Sequence, residues 1–164
     1  MKKVQPGDIK GMDAKWSNWV KARDNLLAVS PKFLGVIRSL DPGLSEQKGV
    51  CGDWSAKDVL SHIVGWEIEV VKRFKEFLAG DTDRIDYRTD DFNRQSVESR
   101  KHLSWNEVVG QFESAQQESN QILHSITREN ILAEKRFLSW TNTLVKHYKH
   151  HLSQLTKLAG GRAD

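Results

Sequence analysis

The chain is short of several things, and each shortage excludes something. Cys51 is its only cysteine, so no internal disulfide can form and stability must come from packing. Its three prolines stand at positions 6, 31 and 42, which leaves residues 43–164 free of the strongest helix breaker. Strand-like alternation, internal repeats and low-complexity segments are missing as well. No run approaches the ~18 consecutive apolar residues that a membrane span requires. The N-terminal MKKVQPGDIKGMD has two lysines but no apolar stretch of the kind a signal peptide carries, so a cytoplasmic location with no membrane partner is expected. Charge is not concentrated: 25 Lys and Arg are interleaved with 22 Asp and Glu for a formal net charge of +3. With neither a basic block nor an acidic tail, no nucleic-acid partner is expected, although the pI is near 9.0. A Gly-rich phosphate loop and a Ser-His-Asp order are also missing.

What is present suits one globular domain spanning residues 1–164, with residues 1–11 expected to be flexible. Hydrophobic residues make up 38% and charged residues 29%, a mix that fits a mostly helical protein with solvated faces. Six tryptophans argue for a packed core or pocket. Extra tryptophan at the surface would also supply a self-complementary apolar patch, so a homodimer is expected.

The apolar spacing predicts four main helices. The first runs from about Met12 to Leu40, with a break or kink at Ser30-Pro31, an N-cap and N1 pair. The second runs from Ser55 to about Leu78, with Ser55 as N-cap and Asp58 in place of the usual capping-box Glu. Residues 81–93 read as a loop and FNRQSVESRKH as a short helix. Ser104-Trp105-Asn106-Glu107 is a capping box opening the third main helix. The fourth runs from about Leu138 to Leu158 and stops at Gly160-Gly161. The fold expected is all-α, an up-and-down four-helix bundle.

The chemistry lies in the histidines. His147 and His151 stand four apart, which places them on one helical face. On the fourth helix, Trp140, Leu144, Val145, Tyr148, Leu152, Leu155 and Leu158 form the inward arc. His151 falls inside that arc and His147 at its edge, while His150 falls among lysines and is expected to be solvated. On the second helix, His62 lies just outside an apolar arc, beside Trp66, with Ser61, Lys72 and Glu76 on the opposite side. An i, i+4 histidine pair is often only two surface residues, and a lone boundary histidine is usually just hydrogen-bonded. Three imidazoles on the buried edges of two facing helices are another matter. They make a candidate site for a divalent ion, with zinc, nickel and iron all compatible with imidazole.

Weaker candidates follow. Glu67 falls within the apolar arc, either as a buried carboxylate orienting a histidine or acting as a base, or as half of an ion pair. Trp54, Trp66 and Trp140 line a pocket or belong to the core. Cys51, just before the second helix, is a reactive thiol or an incidental one. His102 and His124 read as surface residues.

Two stretches carry a family resemblance. DWSAKDVLSHIVGWE resembles the second-helix signature of the DinB-like superfamily: a Trp-Ser, a Lys-Asp, a His and then Trp-Glu. HYKHHLSQL is similar to its fourth-helix motif, two histidines four apart followed by Gln, although relatives often have Arg-Gly after the histidine. DDFNRQSVESRKHLSWNEVVGQFESAQQES resembles the ClbS/DfsB-type branch. Together these cover about residues 12–158. The resemblance implies a DinB-like four-helix bundle, often dimeric, holding a divalent metal on His62, His147 and His151. It also implies thiol S-transfer with a low-molecular-weight thiol, or hydrolysis of a strained electrophile. A metal-dependent thiol transferase or hydrolase acting on a small molecule is therefore expected. The alternative is a non-catalytic binding or stress-response bundle whose metal is structural or absent.

Overall fold

A computed structural model describes residues 6–81, 83 and 85–160. These residues form six α-helices: α1 Pro6–Ser39, α2 Ala56–Leu78, α3 Thr89–Glu98, α4 Trp105–Ser125, α5 Arg128–Ala133 and α6 Arg136–Gly160, with a 3₁₀ turn at Pro42–Leu44. No strand occurs among the described residues, so the fold is all-α as expected. Four of the helices are long, and two short ones, α3 and α5, supplement them. The α5 helix was not foreseen. Its capping box pairs Thr127 with Asn130, a residue outside the usual Glu/Gln pattern.

The α1 helix departs from expectation in two ways. It already begins at Pro6, so residues 6–11 are helical, while residues 1–5 lie outside the described residues. It also runs without interruption through Pro31. The reason is the buried stripe Trp19, Ala22, Leu26, Val29, Phe33, Ile37 and Leu40, spaced by three and four across the proline. Proline in a helix interior costs about 3 kcal/mol. Burying Phe33 and Ile37 on the core side offsets it, since each contributes about 1.5–3 kcal/mol. Pro31 itself is on the exposed side. There, water can serve the carbonyl that loses its donor.

Capping signals in the sequence place the other long helices well. Ser55 and Asp58 form a full capping box at the start of α2, and Ser104 and Glu107 another at the start of α4. Gly80, at φ 87°, takes the left-handed conformation that lets the chain leave α2. The α1 helix packs chiefly on α6, and α2 on α4, with α3 lying against α2. Phe33, Phe112 and Tyr148 meet at the centre from three different helices, with ring centroids 5.2–6.0 Å apart.

Two surface expectations need correction. Among the described residues the exposed large apolar side chains are Ile68, Leu78 and Ile85, and no tryptophan is one of them. The exposed-tryptophan case for a dimer patch therefore falls away. Ser61 is buried rather than on an outer face, because every residue from Ala56 to Gly65 is buried. The first turns of α2 are enclosed all round by neighbouring helices and the preceding loop, so an amphipathic arc underestimates their burial.

Candidate metal centre and adjoining cavity

Enclosure of α2 brings His62 into the interior, where it is 2% exposed. The α6 helix brings His147 and His151 against it, His151 buried and His147 half-buried. The three ring centroids lie 4.6–4.8 Å apart. One potential ligand atom from each ring falls within 4.8 Å of the other two. The Nε2 atoms of His62 and His147 are 2.8 Å apart, a hydrogen-bond distance. Two nitrogens at ~2.1 Å from one tetrahedral ion would stand about 3.4 Å apart, so a small opening of the rings admits the ion.

Protonation favours the same chemistry. Burial pushes the His62 imidazolium down to about 2, with the His147 and His151 charges adding to the effect. Burial, then His151 and His150, lowers His147 to about 4. Burial also lowers His151 to about 4, against the opposing pull of Gln154. All three rings are thus neutral at physiological pH, with lone pairs to offer. His151 Nδ1 meets Gln154 Oε1 at 2.7 Å. A carbonyl oxygen only accepts, so Nδ1 carries the proton and the lone pair is on Nε2. A hydrogen bond of this kind, on the ring nitrogen away from an ion, fixes a ligand histidine's tautomer and orientation. Gln154 lies three residues after His151, a spacing that would have revealed it as a partner. The Nδ1 of His62 lies close to the Asp58 and Val59 backbone but makes no well-aligned hydrogen bond. Three neutral imidazoles suit a divalent borderline ion and leave further coordination positions.

The histidines line one wall of a cavity of about 1330 Å³. Trp54, Trp66 and Trp140 all line it too, so the three tryptophans serve pocket as well as core. The Trp54 ring packs on His62 at 4.8 Å. Trp66 and Trp140 join Tyr87 in an aromatic wall, with centroids 5.4–6.5 Å apart. Tyr87 is held by its hydroxyl, which donates to Glu69 at 2.5 Å. Trp66 Nε1 donates to Asn93 Oδ1 at 2.7 Å. An indole N–H only donates, so the Asn93 oxygen must face it and the amide NH₂ turns away from the indole. Asn93 and Tyr87 come from the stretch where the sequence offered only a loop and a short helix. The α3 helix reaches the cavity because Gly65 lets it approach: a Cβ there would lie 2.2 Å from Ser96 Oγ.

Glu67 is elsewhere. It is 1% exposed and accepts a hydrogen bond from the Tyr148 hydroxyl. Among the described residues it pairs with no arginine, and it does not line the cavity. Burial raises its carboxyl to about 7, partly opposed by Tyr148 and Ser119. Tyr148 adjoins His147 in sequence, so Glu67 supports the helix that presents the ligands. Lys57 and Asp58, the Lys-Asp of the second-helix signature, are both held in ion pairs, and Asp58 also borders the cavity. Lys57 Nζ reaches Glu46 at 2.6 Å, and Asp58 takes Lys48 at 2.8 Å while closing the α2 cap.

His102 and His124 are exposed, as expected. His150 is exposed but not remote: its ring centroid is 4.8 Å from that of His151, and it borders the cavity. A helical wheel sets the direction of Cα–Cβ bonds only, and the imidazole has turned back toward its neighbour. Cys51 is half-buried at the same mouth.

No curated protein and no solved structure matches the chain. A family model described as DinB superfamily matches residues 25–155, which include all three histidines. With that match over most of its length, the chain belongs to the DinB superfamily.

Proposed function

We propose that this protein is a metal-dependent enzyme that acts on small electrophiles, by thiol S-transfer or by hydrolysis, at His62, His147 and His151. The observation that carries this is the convergence of three neutral imidazoles on the wall of a large cavity. Within the superfamily, residues 90–119 favour the ClbS/DfsB-type branch, and the four long helices are read as its up-and-down bundle. Zinc, nickel or iron would be held by the three rings and would supply Lewis acidity that activates a thiol or water.

The chain's own residues do the rest. Gln154 holds the His151 ring in the tautomer that presents Nε2. The aromatic wall of Trp66, Tyr87 and Trp140 takes the apolar body of a substrate and displaces water from it. Asn93 borders the cavity, and its amide NH₂, which Trp66 leaves free, is the donor proposed for a substrate acceptor atom. The rim mixes Lys48, Arg94 and Lys146 with Asp53, Asp90 and Glu98, which suits a small, nearly neutral molecule better than a polyanion. A low-molecular-weight thiol is the co-substrate proposed for the transfer reaction.

The deciding experiment is elemental analysis of untagged protein, followed by assays of thiol transfer and hydrolysis on a panel of epoxides and activated alkyl electrophiles. One divalent ion per chain and metal-dependent turnover are expected. Full occupancy without turnover on any electrophile would favour a non-catalytic bundle with a structural metal. A homodimer is the assembly proposed from the family resemblance. Sedimentation showing only monomer at micromolar concentration would reject it.

A further inference from the structure

The three-histidine centre is not the only ligand set at this end of the cavity. The Sγ of Cys51 and one ring nitrogen each from His150 and His151 also lie within 4.8 Å of one another. All three residues line the cavity. They come from two separate parts of the chain. Cys51 sits in a tight turn: Trp54 N–H donates to the Cys51 carbonyl at 3.0 Å, and Val50 N–H to the Trp54 carbonyl at 2.9 Å. Gly52, at φ 57°, supplies the left-handed residue that the turn needs. The same turn places Trp54 on His62, so Cys51 is fixed relative to the first centre. His150 is exposed, with its ring centroid 4.8 Å from that of His151. His151 is 4% exposed, and its one lone pair, on Nε2, faces away from Gln154.

We infer that Cys51, His150 and His151 form a second metal position, a sulfur-containing set that takes a thiophilic divalent ion. It rests on His151 being a ligand, as in the proposed function, but uses neither His62 nor His147. His151 has a single available lone pair, so one ion occupies the three-nitrogen set or the sulfur set, not both through that ring. On binding, the Cys51 thiol gives its proton to solvent and ligates as thiolate. The metal and its ligands then carry a net charge of about +1, against +2 in the three-histidine set. Softer ions favour the sulfur set and harder ones the nitrogen set. The identity of the metal would thereby choose its position, and with it the Lewis acidity offered to the cavity.

The test is cobalt(II) titration of metal-free, untagged full-length protein, read by absorbance. Thiolate ligation gives a near-ultraviolet sulfur-to-cobalt charge-transfer band, which imidazole ligation lacks. In His62→Ala, where the nitrogen set is broken, one equivalent of cobalt should bind with that band. The double variant His62→Ala/Cys51→Ser should lose the band, and His62→Ala/His150→Ala should bind at least 10-fold more weakly. Because His62 is deeply buried, His147→Ala provides the same test at a half-buried position. Failure of both single variants to show the band overturns the second position. The two proposals fail separately. Wild-type cobalt binding that needs His62 and His147 but shows no band in any variant leaves the three-histidine centre standing alone. Binding indifferent to His62 and His147 but lost in Cys51→Ser removes the three-histidine centre and keeps the sulfur set.

Discussion

Two buried polar clusters share the same pair of helices and have opposite characters. His62 and Glu67 are five residues apart on α2, and His147 and Tyr148 are neighbours on α6. The histidine cluster opens on the cavity, while the Glu67–Tyr148 cluster is sealed in the core. Burial drives both toward neutrality, but through opposite proton movements. It strips protons from the imidazoles, lowering them to about 2 and 4, and keeps one on the carboxyl, raised to about 7. Neutral imidazoles are ligands in waiting. A buried carboxyl that accepts from a phenol is a structural peg. One physical cause, loss of water, therefore yields a reactive site where a cavity adjoins it and a strut where none does.

The largest separation of the two clusters should come from His151→Ala set beside Glu67→Gln. Loss of His151 removes a ligand from both candidate sets and should abolish stoichiometric metal in elemental analysis, whereas Glu67→Gln should keep it. Metal at full occupancy in His151→Ala would sink the assignment of the centre.

Stability should show the reverse order. Glu67→Ala leaves the buried Tyr148 hydroxyl unpaired and opens a void, for a loss of about 2–4 kcal/mol in urea unfolding. Glu67→Gln still accepts from Tyr148 and should stay within about 1 kcal/mol of the parent. If Glu67→Ala costs no more than Glu67→Gln, the carboxyl is not a strut.

Gly65 lies between the two clusters, where α3 crosses α2. Gly65→Ala drives a methyl into Ser96 and should cost about 1–3 kcal/mol. Ser96→Ala in the same chain should recover part of that cost, giving a non-additive double-mutant cycle. Strict additivity would show that the contact does not matter.

Gln154→Ala frees the His151 ring without removing a ligand. A 10–100-fold fall in metal affinity, measured by competition with a chelator, is expected with little change in melting temperature. An unchanged affinity would mean that the tautomer is set by something else.

The smallest effect expected is in the pH dependence of the metal-free protein. The histidines have folded values below the ordinary 6.5, so the folded state binds fewer protons. Their contribution to stability is intact above about 6.5 and is lost as pH falls toward 4. Glu67 runs the other way. Its folded value lies above the ordinary 4.5, so stability is greatest below that pH and declines as pH rises through about 7. Because the histidines gain stability over the same range, the difference between the two chains is the test: between pH 5 and pH 7 the melting temperature of Glu67→Gln should rise more, or fall less, than that of the parent. The opposite difference would contradict a buried carboxyl that keeps its proton up to about pH 7.

Part of this was legible along the chain. Ser55 with Asp58, and Ser104 with Glu107, are local capping interactions, so the starts of α2 and α4 follow from adjacent residues alone. The i, i+4 spacing of His147 and His151 works the same way. Helix geometry obliges them to share a face, and the apolar arc says which way that face turns. Pro31 failed as a break because a local rule competed with a stripe of buried side chains spread over twenty-odd positions, from Trp19 to Leu40. His150 escaped because a wheel gives the direction of a side chain's root and not the turn of its ring.

By itself, then, the sequence determined the helical class, the cap positions and the candidate ligand histidines, because each depends on residues within a turn or two of one another. The tertiary structure decided everything that needs two distant segments to meet. It enclosed the start of α2 on all sides, and so desolvated His62. It placed Glu67 on Tyr148 rather than on a histidine. It folded the Cys51 turn against α6, beside His150 and His151. Helix periodicity carries no information about which faces are brought into contact. That choice is made by the summed burial of the whole core, and the cavity and its neighbouring sulfur are products of that choice.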